Sequence, residues 1–272
     1  MTENTEIQLE QSDTDVIGDM TLILGSRCRD GVVLVADRKF SGTDTIGGIH
    51  MTYNNSKITG ELDGILTGFS GDVGTFQLFT IDLRNHVNNA TEAMSFDATM
   101  LKVSEIQREF YDRYENYRYK VLMGVASKYS SVNRSSLYYF ESDGRCLPKS
   151  EPKAIGSGSP YAYYFLKRYW HENQTTMEQF AQLSDFIIRY ISNPKLSLDD
   201  AVGLDNQDNQ YQYPQIIYIP DDPEFSRIYN DGQPKIDCFP TVSRLNEFRR
   251  NSENMLDTLY KISPPWSTTS PD

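Results

Sequence analysis

Two apolar, β-rich runs open the patterned part of the chain, Thr21 to Cys28 and Val32 to Asp37, with Arg29-Asp30-Gly31 between them. An Asp-Gly pair between two such runs predicts a hairpin. Ser41 to Ser56 is polar and Gly-rich and reads as a loop or a ragged strand pair, and Ile65 to Ser70 reads as a short buried strand. The period then changes. Val73, Phe76, Thr80, Leu83 and Val87 recur at helical spacing, as do Met100, Val103, Ile106, Phe110 and Tyr114. Val121 to Ala126 and Leu137 to Phe140 return to strand character, the second ended by Ser142-Asp143-Gly144. Ala154-Ile155 leads into Gly156-Ser157-Gly158-Ser159-Pro160, where Ser159 is placed to cap a third helix and Pro160 to begin it. Thr175 and Glu178 have capping-box spacing for a fourth helix with the stripe Phe180, Leu183, Ile187 and Ile191. Gln215 to Ile219 is the last clear strand, after a polar loop over 204–213.

Strands, two helices, strands, two helices, strand: this order predicts an α+β fold of stacked sheets with a helix pair on each outer face. It is not the alternation of a doubly wound parallel sheet. The expected organisation is an acidic leader or propeptide over 1–20, a domain over 21–220, and a weakly patterned C-terminal extension over 221–272.

Composition narrows the function. The 272 residues are 38% hydrophobic and carry a formal net charge of −12. That surplus of acid argues against nucleic acid or a membrane surface as partner. Cys28, Cys146 and Cys238 lie far apart and give neither a disulfide framework nor a zinc pattern, and His50, His86 and His171 form no metal-ligand pair. No metal or other cofactor is expected. The first twenty residues contain six acids, no Lys or Arg and no apolar run, unlike a secretory or transit signal. A cytoplasmic protein is the expectation.

Four segments could carry chemistry. Thr21 starts the first run. Asp37 ends an otherwise apolar strand. Lys57 stands in Asn55-Ser56-Lys57-Ile58, and Gly156 to Pro160 is a Gly-rich strand-to-helix turn. Each has an ordinary structural use: a strand threonine, a strand-end carboxylate, a loop lysine, a tight turn. The turn lacks the lysine and spacing of a phosphate-binding loop.

Together they resemble the proteasome β-type subunit family. Thr21 to Lys39 is similar to the family's opening hairpin, in which an acid follows the first Thr by sixteen residues. Ser56-Lys57-Ile58 is similar to its lysine segment, displaced by a short insertion. Thr67-Gly68-Phe69-Ser70-Gly71-Asp72 and Gly156 to Tyr161 resemble its turns before the first and third helices. The resemblance covers roughly residues 21–219. It implies a four-layer αββα sandwich of the N-terminal-nucleophile hydrolase type, self-cleavage ahead of Thr21, and assembly with α-type or like subunits into rings that degrade unfolded polypeptides.

The resemblance also implies roles. Thr21 is the nucleophile and, through its freed amine, the base; Asp37 and Lys57 tune that base. Ser157 and Asp199 support the site, Gly68 offers its N–H to the oxyanion, and the Ser41 backbone pairs with substrate. Phe40, Leu66 and Ser70 are candidates to line the substrate pocket. Two positions depart from the family pattern: Met20 where Gly is usual, and Val202 in Asp199-Asp200-Ala201-Val202-Gly203 where a serine is usual. Two other readings share the fold, a noncatalytic structural subunit and an acyl transferase that passes the acyl group from Thr21 to an amine.

Overall fold

The computed structural model describes residues 21–39, 56–62, 64–71, 73–88, 96–113, 119–127, 134–141, 145–196, 198–199, 202–204, 213–221, 229–230, 233–234 and 239–262. Ser41 and the leader lie outside them. The opening runs form β1 (Ile23–Cys28) and β2 (Gly31–Ala36), antiparallel, with Cys28 opposite Gly31. There follow β3 (Ile58–Leu62), β4 (Ile65–Ser70), α1 (Val73–Asn88), α2 (Phe96–Arg113), β5 (Lys120–Val125), β6 (Ser136–Phe140), β7 (Cys146–Lys149), β8 (Lys153–Ile155), α3 (Ser159–Tyr169), α4 (Met177–Ile191), β9 (Gln215–Pro220) and α5 (Val242–Ile262). One sheet has the order β8-β1-β2-β9 and the other β3-β4-β5-β6-β7. Every pairing within these two sheets is antiparallel.

The two-residue period of the strands sorts side chains into three apolar cores. From β1 and β2, Ile23, Val32, Leu34 and Ala36 face the second sheet and meet Leu66 and Leu122. The intervening Leu24, Val33 and Val35 face Phe180, Ile187 and Ile191 of α4. On the second sheet, Ile65, Phe69, Val121 and Met123 face Phe79, Leu83, Val103 and Ile106 of α1 and α2. Three cores in series require four layers, helix–sheet–sheet–helix, as the resemblance implies. Both faces of β2 are covered, so it reads as a continuous apolar run.

Two helix starts fall one residue from the sequence expectation. Gly158, not Ser159, occupies the cap position of α3, and Pro160 sits in its first turn. Thr176, not Thr175, caps α4. Its hydroxyl accepts from Gln179 N at 3.2 Å, and the Gln179 side chain accepts from Thr176 N at 2.9 Å. Thr175 instead closes the preceding turn on His171.

The larger departure is α5, in a stretch without a clear pattern by eye. Leu245, Phe248, Ser252 and Leu256 recur at helical spacing, and the stripe packs on α4 and its core. Ser252 interrupts it because it is needed there: its hydroxyl donates to the buried Asp185 at 2.6 Å, alongside Arg189 Nε at 2.9 Å.

A second polar junction joins the sheets. Asp221, just past β9, accepts from Ser135 N at 2.9 Å, from Ser135 Oγ at 2.6 Å, and from Arg27 and Arg134. Burial works against its charge, but these donors outweigh it and hold the carboxyl below the usual range. Among the described residues, no helix is long and apolar enough to cross a membrane.

Candidate active site

The hairpin register brings Thr21 and Asp37 together. Ile23 pairs with Ala36, so the next positions outward are Leu22 and Asp37, joined by Asp37 N donating to Leu22 O at 3.0 Å. Asp37 is 1% exposed, and its carboxylate turns back over the strand end. Its Oδ1 accepts from the Thr21 hydroxyl at 3.0 Å and from Leu22 N at 2.9 Å. Lys57 enters from the second sheet, just before β3, and donates from Nζ to the same oxygen at 2.6 Å. It also donates to the Lys39 carbonyl. Thr21 and Lys57 therefore meet on a single carboxylate oxygen. Oδ2 accepts from Gly203 N at 3.2 Å, and the Gly203 carbonyl takes the Arg38 and Lys39 N–H groups at 2.9 and 3.0 Å.

This is a buried ion pair, with side-chain exposures of 3% for Lys57 and 0% for Asp37. Such a pair is retained only where geometry and further hydrogen bonds offset desolvation. Here four donors satisfy the carboxylate. Burial draws the Lys57 ammonium below the ordinary lysine range, and the Asp37 and Asp199 charges pull it back up. Asp199 is half-buried and acts on Lys57 through its field.

The turn between β8 and α3 forms the third wall. Gly156 has φ +98°, and a Cβ there would stand 2.1 Å from the Thr21 carbonyl oxygen, so only glycine fits. Ser157 follows it and is exposed. A Cβ on Gly158 would lie 2.9 Å from Val202 Cγ2. Val202 is buried in the apolar cluster that holds Leu22, so hydrocarbon fills the place where the family pattern has a hydroxyl. Gly68 lies inside β4, paired with Ile58 and Leu122, with its Cα face against Ile23.

Sequence reasoning thus named three side chains that the fold bonds together, Thr21, Asp37 and Lys57, and a fourth, Asp199, whose charge acts on Lys57. It missed two groups. The Gly203 N–H carries no side-chain signal. Gln215, bonded to the residues flanking Lys57, looks in sequence like the polar first residue of a strand. Leu66 and Ser70, candidates to line the substrate pocket, are both buried, Leu66 between the sheets. Phe40 lies outside the described residues. No group of three or more His, Cys, Asp or Glu that could hold a metal ion occurs among the described residues.

The proteasome subunit family model matches residues 20–201. The chain belongs to the proteasome subunit family. Its relatives include both subunit types. It is 28% identical over 163 residues to proteasome subunit alpha of Methanococcus maripaludis strain S2, covering 58% of this chain and 60% of that one. It is 26% identical over 179 residues to proteasome subunit beta of Methanosarcina thermophila, covering 64% and 78%. The chain thus spans about 60% of the length of the alpha-type relative. Among solved structures, it is similar to Anbu, an ancestral β-subunit, from Yersinia bercovieri, with a TM-score of 0.65, 15% identity, and coverage of 91% and 100%. A Gly-1 mutant of Anbu from Hyphomicrobium sp. strain MC1 gives 0.64, 16%, and 89% and 96%. At these identities the structural likeness carries the fold.

Proposed function

We propose that the chain is a threonine endopeptidase subunit of a cytoplasmic, proteasome-like ring. Thr21 is its N-terminal nucleophile once residues 1–20 are removed. The observation that carries this reading is the shared Asp37 oxygen, on which the Thr21 hydroxyl and the Lys57 ammonium converge.

A threonine hydroxyl is a weak nucleophile and needs an adjacent base. A freed α-amine, with a reference pKa of about 7.7–8.0, is partly neutral near pH 7. Lys57 as a cation disfavours protonation of that amine and lowers its pKa further. The amine takes the hydroxyl proton as Thr21 Oγ bonds to the substrate carbonyl carbon. The C–N bond then breaks, and the leaving amine carries the proton away. Water attacks the resulting ester with the Thr21 amine again as base, and releases the acid. The Gly68 N–H is assigned to the oxyanion, a contribution of about 3 kcal/mol for one such donor. Asp199 and Ser157 support the charges, and the Ser41 backbone aligns an extended, unfolded polypeptide. The subunit works with α-type or like subunits in rings.

The test is turnover of a fluorogenic peptide by Lys57→Ala protein made with Thr21 already exposed. Turnover should disappear in a protein that still folds. Cleavage as fast as the parent's would reduce Lys57 to a structural lysine. Val202 favours a second reading, a noncatalytic scaffold subunit, because its side chain cannot hydrogen-bond a threonine amine. A parent with exposed Thr21 and no turnover would establish that reading instead.

A further inference from the structure

An edge strand leaves a row of backbone groups without a neighbouring strand. β3 and β9 are edge strands of different sheets. At Ile58 a side chain supplies the pairing. The Gln215 amide oxygen accepts from Ile58 N at 3.0 Å, and the amide nitrogen donates to the Ile58 carbonyl at 2.7 Å and to the Ser56 hydroxyl. The Ser56 hydroxyl itself donates to the Ile58 carbonyl at 2.7 Å. One buried amide, 8% exposed, thus holds the residues on both sides of Lys57. Its own backbone lies opposite Ala36, the residue before Asp37.

Lys57 and Asp37 belong to different sheets, so their 2.6 Å contact depends on how the sheet edges are aligned. The flexible lysine stem has four carbons and little stiffness of its own. Anchoring its backbone from both sides fixes where the ammonium can reach.

We propose that Gln215 is a positioning residue that sets Lys57 against Asp37 and Thr21, a role that rests on the peptidase reading. The bonds run to the backbone and hydroxyl atoms of the neighbours of Lys57, and act on chemistry only through where they leave its ammonium. A purely structural use, pinning the two sheets, would lower stability and leave the chemistry of correctly folded molecules unchanged. Positioning predicts more. Without the clamp the ammonium drifts from Thr21, and the Thr21 amine loses part of the field that keeps it unprotonated. Ångström-scale misplacement of a reacting group costs up to about a hundredfold in rate.

The experiment uses the full chain, folded and then cut ahead of Thr21 by a sequence-specific protease whose site replaces the preceding residues. Gln215→Leu removes the clamp at similar size. Gln215→Asn keeps an amide but is one methylene too short to reach both partners, and it serves if the leucine variant does not fold. In folded variants kcat should fall about tenfold to a hundredfold, with KM within about twofold of the parent. The acidic limb of kcat/KM against pH should move to higher pH. An independent readout is the pH dependence of Thr21 amine labelling by an amine-selective reagent, resolved by peptide mass spectrometry. The labelling curve should move upward by about half a pH unit or more. A folded variant with the parent's kcat, acidic limb and labelling curve overturns the proposal. If the parent labels normally but cleaves nothing, the peptidase reading fails. The labelling shift then still decides whether Gln215 positions Lys57.

Discussion

Among the described residues, two fully buried carboxylates each gather a hydroxyl and a cation on one oxygen, with different uses. At the sheet junction, buried Asp37 takes a threonine hydroxyl and a lysine ammonium on one oxygen. Between α4 and α5, buried Asp185 takes a serine hydroxyl and an arginine Nε on one oxygen. Distances and burial are alike, so a hydroxyl–carboxylate–cation cluster does not by itself mark a reactive site. The surroundings differ. Asp185 and Arg189 are i, i+4 on one helix, and Ser252 lies mid-helix on another, with its own amine locked in a peptide. Such an arrangement is a clamp between helices. Asp37 and Lys57 come from separate sheets, and the hydroxyl belongs to the residue that the proposed function makes the N-terminus. The cation there is a compact ammonium whose proton affinity responds to burial, whereas a guanidinium keeps its charge.

The largest expected effect separates the two hydroxyls. Thr21→Ala should abolish peptide turnover, and Thr21→Ser should keep some. Ser252→Ala should leave turnover within about twofold and cost roughly 2 kcal/mol in denaturant unfolding, since its hydroxyl bonds a buried charge. Equal loss of turnover in Thr21→Ala and Ser252→Ala would erase the distinction.

Exchanging the cations comes next. Lys57→Arg should lose about a hundredfold in turnover, because a planar guanidinium cannot occupy the place of an ammonium on a shared oxygen. Arg189→Lys should be tolerated for activity. Arg189→Ala, which leaves a buried carboxylate without its cation, should cost about 3 kcal/mol of stability.

A smaller effect appears in the pH dependence of stability. Burial holds the Lys57 pKa in the folded chain below the ordinary lysine value of 10.5. Between the two, the unfolded chain binds a proton that the folded chain lacks, so this group makes stability rise with pH across that window. Below the folded pKa both states hold the proton and the slope vanishes. Urea unfolding of parent and Lys57→Met over this alkaline range should show the rise only in the parent, and Arg189→Met should keep it.

The smallest expected effect concerns cysteine reactivity. Burial pushes the Cys28 thiol up to about 12 and the Cys146 thiol to about 11. At pH 8 both should react with iodoacetamide far more slowly than a free thiol, since the thiolate is the nucleophile. Cys28 belongs to the core beneath α4 and α5. Arg189→Ala should speed its labelling, while Lys57→Ala should leave the rate unchanged.

These contrasts also explain what could be read from sequence. The opening hairpin and β9 were legible as short apolar, β-rich runs, and α1 to α4 because their apolar positions recur every three to four residues. β7 was not: it is a half-exposed edge strand containing Pro148, which an edge tolerates. α5 was hidden because a polar Ser252 breaks its stripe, and the partner that justifies it, Asp185, lies 67 residues away. At the site, Thr21, Asp37 and Lys57 stood out through the resemblance of their segments to the family's motifs. That Thr21 and Lys57 share one oxygen, and that Gln215 grips the neighbours of Lys57 from 157 residues away, depends on the stacking of two sheets, which no local pattern encodes.

β9 has a side-chain tie to the opposite sheet at each end. Gln215 begins it and reaches β3; Asp221 follows it and grips Ser135, just ahead of β6. Sliding one sheet along the other would have to break both ties at once, because a rigid strand cannot yield at one end alone. The sandwich should therefore resist shear far better than peeling of its outer helices. In native-state hydrogen exchange, the amides of β2 and β9 should open only with the whole domain, while those of α5 exchange earlier through local opening.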